Sequence, residues 1–425
     1  MNYTIRKSDR TGDQYYEIHH PSGLTVLVYP KEGFTSTYAL FAANFGSICN
    51  RFVRDGREIT VPDGTAHYLE HKLFESEDGD AFSKYAKTGA SANAFTSFDM
   101  TGYLFQCSDK FAESLEILID LIQSPYFTPE TVAKEQGIIG QEIKMYQDNP
   151  DWCALMNLLG GLSHNHPIHT DIAGDVQSIA QITPEILYEC YNSYYNLHNM
   201  LLCVAGKADP DEVLSILDEK LKPAGPFTTE TIFPEEPYEV VKHYVEQKMP
   251  VAVPSFHLGF KLTKSTTELP DPKEVSTISI ILDAFAGSGS KLYRELTDKG
   301  LVNASFSYDM SEGVGYGVIV FSGETHKPDE AAGYILQAVR ELCREGVPAD
   351  LFEEAKRSVY GQAVSVSDHP SSIASALANC FFTGREMFDS MDVTASLTLE
   401  EANEVIRHIL DPDNYCLSVI RPLET

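Results

Sequence analysis

The sequence predicts an α+β protein of two structurally similar domains, each a largely antiparallel sheet with helices packed on one face. Three observations point there. The chain has 425 residues, more than one core usually holds, so two or more domains are expected. Between Lys222 and Pro237 it gathers four prolines within sixteen residues and loses its hydrophobic periodicity, as a linker does. On either side of that break the same coarse order recurs: strands, a helix, more strands, a run of helices and a last strand. The expected domains are residues 1–220 and 245–425, joined by a linker at 221–244.

Taken in order, the first half opens on the apolar strand Leu24-Thr25-Val26-Leu27-Val28-Tyr29 and closes on Leu201-Leu202-Cys203-Val204. The second half carries a helix at 275–286, then Gly287-Ser288-Gly289-Ser290-Lys291, and ends on Tyr415-Cys416-Leu417-Ser418-Val419-Ile420. The glycine-serine run lacks the spacing that curls amides round a phosphate, and reads as a turn into the helix of Leu292 and Leu296. Weak self-similarity supports a duplication, since Ile182-Thr183-Pro184-Glu185 before one final helix matches Leu397-Thr398-Leu399-Glu400 before the other. The helix at 275–286 holds no His or Glu, so only the first half can build a metal site.

Charge narrows the function classes. Thirty-two basic against 62 acidic residues give a net charge of −30, which repels phosphate backbones and argues against nucleic acid as a ligand. The first ten residues lack the apolar core of a signal peptide, and no stretch is long enough to span a bilayer, so a cytoplasmic protein without membrane partners is expected. Eight scattered cysteines without Cys-x-x-Cys spacing are expected to be buried free thiols.

The chemistry concentrates in His67-Tyr68-Leu69-Glu70-His71. On a helix His71 lies about 40° from His67 and Glu70 about 60° away on the other side, so all three can face one ion. Two neutral imidazoles suit zinc, and a carboxylate beside them can take a proton from water. The order is that of an inverzincin. A surface helix with two solvated histidines would carry the same pentapeptide, so a zinc site needs a third protein ligand. The segment Pro129 to Tyr146, with acids in its first turn and apolar Val132, Ile138, Ile139, Ile143 and Met145, predicts a helix on which Glu135 and Glu142, seven apart, share one stripe. A second histidine cluster, His164-Asn165-His166-Pro167-Ile168-His169, carries a proline and no carboxylate, and is expected to be a loop. Tyr188 to Tyr195, rich in aromatics, reads as packing.

A His-x-x-Glu-His helix followed by a Glu-x6-Glu helix resembles the pitrilysin/insulinase family of zinc peptidases. Gly89-Ala90-Ser91-Ala92-Asn93-Ala94-Phe95-Thr96-Ser97 is similar to that family's Gly-x-x-x-Asn-Ala-Tyr/Phe-Thr-Ser strand. Tyr194 to Gly206 resembles the segment that closes the family's first domain. The resemblance implies that His67, His71 and Glu142 hold zinc, that Glu70 is the general base, and that Glu135 orients the ligands. It places Asn93 and Ala94 on an edge strand where an extended peptide adds as a further strand.

The family usually builds a chamber from four such domains, so the resemblance implies a dimer. Self-sufficient members carry an Arg and a Tyr in the second half; this chain has Thr297 at the Arg position and Asn303 near that of the Tyr. The expectation is a zinc-dependent endopeptidase, the catalytic subunit of a heterodimer whose homologous partner lacks zinc ligands, with a homodimer as the alternative. A bacterial subgroup sharing the Glu-His-Lys-x-Phe-Glu and Asp-Asn-Pro-Asp-Trp signatures, residues 70–75 and 148–152 here, is associated with modification of elongation factor P. Competing readings are a non-catalytic binding or assembly subunit that retains a metal, and a zinc hydrolase acting on non-peptide amides.

Overall fold

A computed structural model describes residues 3–77, 79–262 and 269–423. The chain forms two compact units, neither continuous in sequence. One comprises Met1–Ile143, Asp171–Ile232 and Val364–Phe388; the other comprises Lys144–Thr170, Phe233–Ala363 and Asp389–Thr425. The passage from Ile232 to Phe233 falls inside the expected linker at 221–244. Among the described residues no helix is long and apolar enough to cross a membrane.

In the first unit the strands are β1 (Thr4–Lys7), β2 (Gln14–His19), β3 (Thr25–Pro30), β4 (Thr37–Ala43), the ribbon β5 (Arg51–Arg54) and β6 (Arg57–Thr60), the short hairpin β7 (Glu75–Ser76) and β8 (Gly79–Asp80), β9 (Ser91–Thr96), β10 (Thr101–Cys107), β11 (Met200–Gly206) and β12 (Glu230–Thr231). Seven of them make one sheet in the order β1-β2-β3-β11-β4-β10-β9, and β12 pairs with β5 in a smaller one. In the large sheet only β3 and β11 run parallel. Its helices include α1 (Thr65–Leu73), α2 (Ala81–Thr88), α3 (Phe111–Gln123) and most of α4 (Pro129–Gln147).

The second unit contains α5 (Pro150–Leu162), β13 (Tyr244–Met249), β14 (Ser255–Leu262), β15 (Ser307–Gly313), β16 (Tyr316–Glu324) and β17 (Leu410–Pro422). Their order, β13-β17-β14-β16-β15, repeats β3-β11-β4-β10-β9, down to the one parallel pair, β13 with β17. Matching caps accompany the repeat. The Thr183 side chain accepts from the Ile186 amide before β11, and Thr398 caps the helix Leu399–Ile409 before β17.

Each sheet carries its main helices on one face. In the second unit Phe256, Leu258, Phe260 and Leu262 of β14 join Ile281, Ile335, Val339 and Ile406 of the helices in one core. The alternate residues point the other way, and there Gly259 admits Leu158 of α5, whose Cδ2 lies 2.7 Å from where a Cβ would stand. A single helix from the other half of the sequence thus covers the second face. The first unit has its counterpart, the helix Pro370–Phe382 packed on β11 and β4. All seven residues of β11 are buried, as covering on both faces requires.

The second histidine cluster has a structural task. The amides of His164, Asn165 and His166 donate to the Glu236 carboxylate at 2.9, 2.6 and 2.8 Å. Lys261 donates to the same carboxylate at 2.6 Å, and to the carbonyls of Leu162 and Pro237 at 3.1 and 2.6 Å. Both side chains are buried, so each charge is tolerable only because the other is present. Burial alone would raise the Glu236 carboxyl, but Lys261 and the three amides outweigh it and hold it at about 2, against 4.5 ordinarily. A folded-state value below the unfolded one contributes stability above pH 4.5 that is lost as pH falls toward 2. Glu236→Gln is expected to cost about 3–5 kcal/mol and to flatten that acid limb, read from Tm against pH.

The eight cysteines are all free, five of them buried. Tyr188, Tyr194 and Tyr195 pack against Phe127, Phe45 and Tyr103. The glycine-serine run ends at Ser290, which caps the helix Lys291–Asp298.

Candidate metal centre

Helix α1 begins on Gly64 at φ 85°, with the Ala173 carbonyl oxygen 2.4 Å from where a Cβ would stand. No L side chain fits there, which fixes where the helix starts. All of its residues are buried except His71, which is half-buried. Its arc of His67, Glu70 and His71 therefore lies in the interior, where unpartnered polar groups are costly. Helix α4 runs opposite and buries Val132, Glu135, Ile139 and Ile143. The Tyr68 hydroxyl donates to the Val132 carbonyl and ties the two helices together.

The structure brings His67, His71 and Glu142 to one point. Glu142 lies 3.7 Å from His67 Nε2 and 3.4 Å from His71 Nε2. Tetrahedral zinc with bonds of about 2.1 Å separates its ligands by about 3.4 Å, so these donors fit one ion without rebuilding either helix. Among the described residues this is the one group of His, Cys, Asp or Glu with such geometry, its ligand atoms all within 4.8 Å of one another. Three protein donors also leave the fourth position of a catalytic site open.

The neighbouring groups are differentiated. Glu135 Oε1 lies 3.0 Å from His71 Nδ1, the nitrogen turned away from Glu142. That contact orients the ring as a ligand's outer partner does. His67 Nδ1 is buried and makes no hydrogen bond. Burial and the neighbouring His71 lower His67 to about 4, which leaves it neutral at pH 7, the form that can bind a metal. At His71 burial is outweighed by Glu135 and Glu142, which raise it to about 10. Burial also raises the Glu70 carboxyl, against the opposing hydrogen bond from Thr96, whose hydroxyl donates to Glu70 Oε2 at 2.6 Å.

Asn93 and Ala94 lie on β9, the edge of the sheet, in register with Leu104 and Tyr103 of β10. The Ala94 amide donates to the Asn93 side chain at 2.9 Å. Two groups escaped the sequence reading. Thr96 sits in the quoted Asn-Ala-Phe-Thr-Ser run, but its aim at Glu70 depends on how β9 lies against α1. Tyr68 occupies a variable position of the His-x-x-Glu-His pattern, and only the neighbouring helix gives its hydroxyl a purpose.

Residues 58–175 match the family model described as Insulinase (Peptidase family M16), and residues 181–359 that of the Peptidase M16 inactive domain. The chain is 39% identical over 411 residues to the uncharacterized zinc protease YmfH of Bacillus subtilis (strain 168), covering 94% of this chain and 95% of that protein. A solved M16-like peptidase from Alicyclobacillus acidocaldarius superposes with TM-score 0.93 at 32% identity, covering 100% of this chain and 99% of that one. Pitrilysin superposes with TM-score 0.75 at 16% identity, and there the whole of this chain spans 47% of the other. The pitrilysin likeness shows a shared fold, and with the two family models and the YmfH relative the chain belongs to the insulinase family, peptidase family M16.

Proposed function

We propose that this chain is a zinc-dependent endopeptidase that cleaves peptides in extended conformation, acting in the cytoplasm as the catalytic subunit of a heterodimer. The observation that carries the reading is the convergence of His67, His71 and Glu142, with Glu70 beside them on α1. The three donors would hold zinc, which when bound polarises the scissile carbonyl and makes water acidic enough to be deprotonated near pH 7. Glu70 takes that proton and returns it to the leaving amine; the Thr96 hydroxyl, engaged on Oε2, leaves Oε1 for the transfer. Glu135 fixes the His71 ring. The substrate backbone pairs along β9 at Asn93 and Ala94, which selects for extended shape over sequence. Residues 1–220 form the zinc-bearing domain in this reading, and residues 245–425 the metal-free one.

The partner follows from the second half. By the family resemblance Thr297 stands at the position where self-sufficient relatives place Arg, and Asn303 near that of their Tyr. Arg294 and Tyr308 stand nearby but out of register with those positions, and the one hydroxyl proton of Tyr308 is already donated to Asp283 at 2.9 Å. A homologous subunit supplies those donors. The 70–75 and 148–152 signatures support membership of the subgroup associated with elongation factor P modification. The test is turnover of a quenched peptide by the purified chain, alone and with candidate partners from its host. Weak, chelator-sensitive cleavage that rises at least about 10²-fold with the partner is expected, the worth of one oxyanion donor. Robust turnover by the lone chain would count against an obligatory partner.

A further inference from the structure

Lys72 follows a proposed ligand directly, yet its side chain is fully buried. An ammonium out of water costs several kcal/mol unless it is paired, and an apolar residue would fill the site at no such cost. Its Nζ donates to Glu75 Oε2. The other oxygen of Glu75, Oε1, accepts from Lys134 Nζ at 3.2 Å. Lys134 is on α4, immediately before Glu135. Besides the Tyr68–Val132 hydrogen bond, helices α1 and α4 are bridged through two neighbouring pairs: His71 meets Glu135 directly, at 3.0 Å, and Lys72 meets Lys134 through Glu75.

We infer that Lys72, Glu75 and Lys134 form a brace that sets the separation of α1 from α4, and with it the distance of Glu142 from the two imidazoles. These are positioning residues, since none is among the metal-ligand candidates. The inference rests on the reading of His67, His71 and Glu142 as zinc ligands. The two limbs are unequal. Lys72 is wholly buried, whereas the Lys134 side chain is 68% exposed, so its limb is screened and weak. The brace is consistent with the role of outer partners in metal sites, where orientation alone changes affinity.

The decisive variant is Lys72→Met with Glu75→Gln in the full chain, which leaves net charge unchanged and removes the buried ammonium together with its half-buried partner, a change folds often tolerate. Three quantities are read: zinc affinity by competition with a chromophoric chelator, the visible spectrum of the Co2+ form, and Tm of the metal-free protein. The expected result is a Tm within a few degrees of wild type, zinc affinity lower by about 10- to 100-fold, and displaced Co2+ bands. Unchanged affinity and spectrum would overturn the brace, whatever the change in Tm. Should that variant not fold, Lys134→Met decides, because its exposed side chain bears little on folding. Removing a cation beside a metal site tightens binding by charge alone, whereas loss of the brace weakens it by about two- to fivefold; unchanged or tighter binding overturns the inference. Wild type that binds no zinc removes the ligand assignment and the brace together, while wild type that binds zinc exactly as the variants do removes the brace alone.

Discussion

Glu70→Gln is expected to lower kcat for peptide cleavage by about 10²- to 10⁴-fold, the usual worth of a general base, while zinc content is unchanged. Gln matches Glu in shape but cannot carry the proton. Its amide oxygen can still accept from Thr96, which now donates to Glu70 at 2.6 Å, so α1 and β9 keep their packing. Because His67, His71 and Glu142 are untouched, metal analysis after dialysis should match wild type. Retained hydrolysis in this variant would refute the assignment of the base.

The second large effect separates the two carboxylates of α4. Glu135 and Glu142 share a stripe, but Glu142 faces both Nε2 atoms at 3.7 and 3.4 Å, and Glu135 faces only the Nδ1 of His71. Glu142→Gln removes a charged donor from a three-donor site and is expected to weaken zinc binding by well over 100-fold. Glu135→Gln removes an outer partner and should cost about 10- to 100-fold. Competition with a chelator of known affinity measures both. If the Glu135 variant were the more severely affected, the two roles would be exchanged.

The site was legible to the extent that it rests on periodicity within single elements. Spacing alone placed His67, Glu70 and His71 on one arc, and the helix expected over 129–146 is observed as Pro129–Gln147. The choice of Glu142 as third donor came from the family resemblance, since a stripe of two carboxylates does not say which meets a partner helix. Thr96 and the Tyr68–Val132 contact were beyond reach, because both are created by how one element lies on another.

The same limit applies to the fold. The repeated succession of strands and helices along the chain was readable because turns and apolar runs are local, whereas the order of strands within each sheet was not. That α5 lies on the second sheet, and the helix Pro370–Phe382 on the first, depends on which exposed sheet face a helix finds. A trace was present: Leu201-Leu202-Cys203-Val204 is an unbroken apolar run with no alternation, the signature of a strand covered on both sides.

Every role assigned above depends on two imidazoles of α1 and one carboxylate of α4 surrounding a single ion. Crystals of the chain grown with zinc, with anomalous diffraction recorded on both sides of the zinc absorption edge, test this most directly. One strong peak is expected about 2.0–2.2 Å from His67 Nε2, His71 Nε2 and a Glu142 oxygen. A map without a peak there, or with zinc held by other side chains while Glu142 stands away from the imidazoles, would contradict it.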